Sequence, residues 1–137
     1  MIIHVISLFP DELKDYFSKG IMKRALDKGL FSLNTIQLRD FSTDKHHKVD
    51  DTPFGGKQGM VLKVDVLAAA IRSIPNYQDC QIIYPCPKGL LFDQDLAKRF
   101  ASIDDSRSKA TTGEKAKNRD LIFISGYYEG VDERIFE

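Results

Sequence analysis

The residues Ile2-Ile3-His4-Val5-Ile6-Ser7-Leu8-Phe9 carry six large apolar side chains with no alternating wet face. A strand that is apolar on both sides has to be covered on both sides, which is the habit of parallel sheets whose crossover helices pack on each face. Leu121-Ile122-Phe123-Ile124-Ser125 repeats the pattern, and Gln81-Ile82-Ile83-Tyr84 is a shorter version. Between these runs the apolar period changes to that of a helix: Leu13, Tyr16, Phe17 and Ile21, continued by Ala25 and Leu26; then Leu67, Ala70, Ile71 and Ile74; then Leu96, Ala97, Phe100 and Ile103. Strands alternating with helices predict an α/β domain, a mostly parallel sheet flanked by helices with right-handed crossovers. A single His4 inside such a strand reads as a hydrogen-bonded core residue rather than a ligand.

Local signals set the boundaries. Pro10 followed by Asp11 and Glu12 starts a helix, Gly20 divides it in two, and Gly29 closes it as a C-terminal cap. Leu30 to Leu38 reads as a strand. Its apolar residues change face between Leu33 and Ile36, which predicts a bulge. Asp65 is placed to cap the helix that Pro75 ends, Asp93 to begin the next, and Val131 to Glu137 to open a last one. Asp104 to Asn118 holds no bulky apolar residue and reads as a polar excursion of modest positive charge.

With 137 residues the chain is sized for one domain, and its twenty basic and twenty acidic residues cancel. Bulk charge therefore gives no support to nucleic-acid binding; an RNA partner would have to meet a local patch. Lys45, His46, His47 and Lys48 form one such cluster. Cys80 and Cys86 lack metal spacing, and no signal peptide or transmembrane run is present, so reduced thiols in the cytoplasm and no membrane association are expected. His46 and His47 beside Asp44, Asp50 and Asp51 invite a metal, but adjacent histidines point apart in a strand and no H-x-x-x-H spacing exists. A solvated loop is the reading, with no metal.

Three stretches are suited to ligands. Asp50-Asp51-Thr52-Pro53-Phe54-Gly55-Gly56-Lys57-Gln58-Gly59-Met60 has three glycines, a proline and two carboxylates, and no core-forming period; it reads as a loop in which another molecule can approach the main chain closely. Its spacing fits neither a P-loop nor a dinucleotide fingerprint. In open α/β sheets ligands bind beyond the carboxyl ends of strands. Pro85 to Gly89, stiffened by two prolines, and Gly126 to Gly130, with an aromatic ring at Tyr128 and a carboxylate at Glu129, both follow strands. Rigid backbone and glycine suit a small planar ligand held by main-chain hydrogen bonds.

The motif Val49-Asp50-Asp51-x-Pro53-Phe54-Gly55-Gly56-x-x-Gly59-Met60, preceded by Arg39-Asp40-Phe41 and His46, resembles the signature loop of the bacterial tRNA (guanine-N1)-methyltransferases of the SPOUT, or alpha/beta-knot, class. Ile6-Ser7-Leu8-Phe9-Pro10 and Gly126-Tyr127-Tyr128-Glu129-Gly130-Val131-Asp132-Glu133-Arg134 are similar to the same family. Lys57 stands where the family usually has a glycine and Tyr127 where it usually has an arginine. The resemblance runs over essentially all of the chain but only about the first half of a typical member, and members are generally shorter around 104–118, which marks that stretch as an insertion.

The resemblance implies a SPOUT-like, methyl-donor-binding domain over 1–137 that stops before the knot is completed. It implies S-adenosylmethionine as cofactor, tRNA as substrate, methylated at N1 of the guanosine 3′ of the anticodon, and a homodimer. It carries cofactor contacts over to Tyr84, Pro85, Cys86, Pro87, Gly89, Gly126, Tyr128, Glu129 and Gly130, and substrate contacts to His46, Asp50, Asp51, Gly55, Gly56, Gly59 and Met60. The family's base and arginine lie beyond Glu137, so no catalytic residue is assigned. The alternative is a non-catalytic remnant that dimerises or binds RNA.

Overall fold

A computed structural model of the chain describes residues 1–53, 58–101 and 120–136. In chain order its elements are β1 (Ile2–Ser7), α1 (Pro10–Phe17), α2 (Gly20–Asp27), β2 (Ser32–Gln37), β3 (Asp50–Asp51), β4 (Val61–Leu62), α3 (Val64–Arg72), β5 (Gln81–Ile83), α4 (Gln94–Phe100) and β6 (Leu121–Ile124). The central sheet has the order β2-β1-β6-β5 with every pair parallel, and β3 and β4 form a separate antiparallel ribbon. The twice-apolar runs are thus the two inner strands of a parallel sheet, as their patterning requires.

The register pairs His4 with Ile122 and Ile6 with Ile124, which puts these four side chains on one face. That face meets the apolar stripe of α3, and Ile6, Ile122, Ile124, Val66, Leu67, Ala70, Ile71 and Ile74 belong to one buried cluster with Leu38, Val49, Leu62 and Val131. Each fully buried aliphatic side chain is worth roughly 1.5–3 kcal/mol, so this cluster dominates the stability. The opposite face carries Val5 and Leu121, also buried, and α1 packs across β1 and β2. His4 is a satisfied core residue: the Asn34 amide donates to its Nδ1 at 2.9 Å. Burial lowers its pKa, against an opposing pull from Asp120.

Helix ends follow the local chemistry. Gly29, at φ +66, lets its own N–H reach the Leu26 carbonyl and the Leu30 N–H reach that of Ala25, which closes α2. Asp93 caps α4 by accepting from the Leu96 N–H at 2.8 Å.

Four expectations are corrected. The β1–β2 register runs unbroken from Ile2–Ser32 to Ser7–Gln37, so β2 has no bulge. The change of face needs no irregularity: Leu33, paired with Ile3, lies on one face of β2 and Ile36, paired with Ile6, on the other against the buried cluster, while Leu38 is buried from a 3-10 turn, Leu38–Phe41. Asp65 does not cap α3; Lys63 is the boundary residue, and Asp65 lies in the first turn, 3.8 Å from the Lys63 ammonium. The stretch from Asp50 is not wholly loop, because Asp50 and Asp51 pair with Leu62 and Val61 while Val49 and Leu62 are buried. Val131 opens no α-helix: it forms a parallel bridge with Leu62, and only a 3-10 turn follows at Glu133–Phe136. The expected insertion at 104–118, with Ile103, Gly55 and Gly56, lies outside the described residues. No described helix is long and apolar enough to cross a membrane.

Candidate functional site

β5 and β6 are adjacent and parallel, so the turns that follow them leave the sheet side by side at the same end. The Tyr84 side chain occupies the space between the two turns. A Cβ built on Gly126 would lie 3.0 Å from its ring, and one on Gly130 would lie 2.8 Å from its hydroxyl. Glycine at both positions leaves room for Tyr84, and the φ of +126 at Gly130 favours glycine as well. The expectation that these glycines serve close ligand approach omitted this neighbour, which sits on the other strand. The Phe136 ring lies 5.6 Å from that of Tyr84. In the first turn the Gly89 N–H donates to the Cys86 carbonyl at 3.0 Å and the Cβ space of Gly89 faces the same carbonyl, so Gly89 closes the bend.

Between the turns lies a cavity of about 720 Å³ lined by Tyr84, Cys86, Pro87, Lys88, Glu129, Val131, Glu133 and Phe136. Five of these are apolar or aromatic or a thiol, and Lys88 and Glu133 are paired across the rim at 3.3 Å. Both partners are highly exposed, so the pair adds little to stability. Beside the lining residues Val131 and Glu133 in the chain, Arg134 bonds the Asp132 carboxylate and holds its pKa below the ordinary carboxylate range.

The glycine-rich segment meets the second turn. The Met60 N–H donates to the Glu129 carboxylate at 2.6 Å, and the Glu129 N–H donates to the Met60 carbonyl at 3.1 Å. Two more backbone bonds continue the contact, from the Leu62 N–H to Gly130 and from the Asp132 N–H to Leu62. Gly59 has φ +107, and a Cβ there would stand 2.3 Å from the Glu129 carboxylate carbon. The backbone angle favours glycine, and a Cβ there would displace the carboxylate.

Of the residues expected to touch cofactor, Tyr84, Cys86, Pro87 and Glu129 line the cavity, and Gly126 and Gly130 flank Tyr84. Pro85 and Gly89 shape the first turn without lining it. Tyr128, at φ +56, is partly exposed, its ring packed on Tyr127 at 4.7 Å and Tyr127 in turn on Phe9 at 5.3 Å. Of the residues expected to touch substrate, Gly59 and Met60 lie against Glu129, and Asp50 and Asp51 sit on the ribbon strand beside Leu62 and Val61. His46 belongs to a turn of its own, where the Asp44 carboxylate takes the N–H groups of His46 and Lys48, which lowers the Asp44 pKa. Lys88, Val131, Glu133 and Phe136 were not anticipated. The helical reading of 131–137 hid the last three, whereas Lys88 stood within the motif between Pro87 and Gly89.

The profile of the family described as tRNA (Guanine-1)-methyltransferase TrmD matches residues 1–137. The tRNA (guanine-N(1)-)-methyltransferase of Clostridium botulinum (strain Hall) is 39% identical over 137 residues, which is all of this chain and 50% of that protein. That of Staphylococcus epidermidis (strain ATCC 12228) is 40% identical over 135 residues, 98% of this chain and 49% of the relative. A crystal structure of the tRNA (m1G37) methyltransferase from Aquifex aeolicus superposes with a TM-score of 0.77 at 32% identity, covering 98% of this chain and 55% of that one. The chain spans about half the length of the curated relatives it matches. With the family profile matched from first residue to last, on a parallel sheet whose solved counterpart shares its fold, the chain belongs to the tRNA (guanine-1)-methyltransferase family.

Proposed function

We propose that these residues form the donor-binding and part of the substrate-binding surface of an enzyme that methylates N1 of the guanosine 3′-adjacent to the tRNA anticodon, with S-adenosylmethionine as donor. The observation that carries the reading is the cavity between the turns after β5 and β6, where the aromatic ring of Tyr84, the Cys86–Pro87 backbone and Glu129 converge. Its volume of about 720 Å³ is within the usual range for small-molecule sites, and its mixed apolar and polar lining suits a nucleoside with a charged tail. Tyr84, Pro85, Cys86, Pro87 and Gly89 supply a stiff edge, and Gly126, Tyr128, Glu129 and Gly130 the facing one. Asp50, Asp51, Gly59 and Met60, with His46 on the neighbouring turn, form the side toward RNA.

When bound, the sulfonium donor supplies an activated methyl group with a neutral leaving group, so no metal is needed to activate it. Guanine N1 carries a proton at neutral pH that must leave as the carbon–nitrogen bond forms, and a carboxylate base with a nearby cation meets that need. No residue of this chain is assigned to either role. Asp50 and Asp51 are read as shaping the loop or contacting the guanosine. The chain is proposed to act as a cytoplasmic homodimer, over a single domain 1–137.

Calorimetry with S-adenosylmethionine tests the cofactor, and tighter binding of ATP or NAD would overturn it. A second reading is binding of donor or RNA without methyl transfer. Incubation with labelled donor and unmodified tRNA separates the two, since turnover sinks the second.

A further inference from the structure

We propose that Glu129 is a positioning residue that latches the glycine-rich segment at Gly59–Met60 onto the turn after β6, so that the substrate side and the donor cavity move as one unit. The proposal rests on the reading of that cavity as a donor site. Glu129 lines the cavity, yet its carboxylate is spent elsewhere: it accepts the Met60 N–H at 2.6 Å and fills the place where a Cβ of residue 59 would stand. Its own N–H closes the loop by donating to the Met60 carbonyl. Two residues 69 positions apart therefore exchange a main-chain bond and a charge-assisted one, and a negatively charged acceptor makes the second roughly twice as strong as a neutral bond.

The ribbon explains why the latch matters. β4 is two residues long, and pairs on one side with β3 and on the other with Val131 through a single bridge. The buried Leu62 side chain and these pairings fix β4 itself, whereas Met60 lies beyond them, and the Glu129 bonds extend the pairing by one residue toward the glycines. A ligand that orders the turn at Glu129 then orders Met60 as well. Ordering one partner lowers the cost of ordering the other, which is positive coupling without a change of fold.

Amide hydrogen exchange at Met60 in the 137-residue chain tests the latch directly. In the ligand-free protein Glu129→Ala should speed Met60 exchange by about tenfold or more, the loss expected for one charge-assisted bond. Glu129→Gln, which keeps an acceptor oxygen, should stay within about threefold of the wild type. Unchanged exchange in Glu129→Ala, or equal exposure of Met60 in both variants, would overturn the proposal. Gly59→Ala should expose Met60 as Glu129→Ala does, and the double variant should cost less than the two changes added, because the collision disappears with the carboxylate. Strict additivity would refute the contact. A second arm adds saturating S-adenosylmethionine, which should slow Met60 further in the wild type and not in Glu129→Ala. Absence of binding heat in calorimetry would sink the donor reading by itself, while the ligand-free arm still decides the latch.

Discussion

At the scale of single residues, His4 and Gly126 carry the clearest consequences. His4 is held neutral by burial, with Nδ1 committed to the Asn34 amide, so protonating that nitrogen would cost both the hydrogen bond and the solvation of a charge. Its folded pKa lies below the unfolded value near 6.5. Between those two values the unfolded chain binds more protons, so the His4 contribution is complete above about pH 6.5 and is lost as pH falls toward the folded value. Urea unfolding followed from pH 7.5 to 5 should show that decline, and His4→Gln should flatten it. Gly126→Val would drive two methyl groups into the Tyr84 ring, which already stands 3.0 Å from the Cβ position. The turn lies at the surface, so the fold should persist while donor affinity drops by about fivefold to a hundredfold, a displacement worth about 1–3 kcal/mol by the usual cost of overpacking. Calorimetry with circular dichroism separates those outcomes, and an unchanged affinity would argue against the cavity.

At the scale of elements, the ribbon β3–β4 is short but joins segments far apart in the chain. Leu62 is fully buried, pairs with Asp50, bridges Val131 and exchanges backbone bonds with Gly130 and Asp132. Leu62→Ala should cost about 2–5 kcal/mol in denaturant unfolding, the range for a large-to-small change in a core. β1, β6, the α3 stripe and the caps at Gly29 and Asp93 were legible in the sequence because each depends on residues close together in the chain. The ribbon was not. Two-residue strands have no period to read, and the pairing of Met60, Leu62 and Val131 joins positions about seventy residues apart, so nothing local announces it. The two post-strand turns could be picked out as ligand sites from glycine, proline and their place after apolar runs. The packing of Tyr84 against Gly126 and Gly130 could not, because it depends on β5 and β6 being neighbours.

At the scale of the whole molecule, the proposed homodimer gives a simple expectation: sedimentation of the purified chain should report the mass of two chains at micromolar concentration, and a single-chain mass would remove the partner from the proposal. Large side chains such as Tyr16, Ile21 and Leu30 stand well exposed on the α1–α2 side, enough apolar surface for such an association to cover. The sheet order has a consequence of another kind. β6 lies between β1 and β5, although it is the latest made of the four strands. On the ribosome, β1 emerges first and waits with one flank bare until residues 121–124 have been synthesised; β5, whose neighbour in the sheet is β6, waits with neither flank paired. The nascent polypeptide thus offers chaperones the open edge of β1 from its first residues and an unpaired β5 from residue 83 onward, until the missing strand slots into the gap.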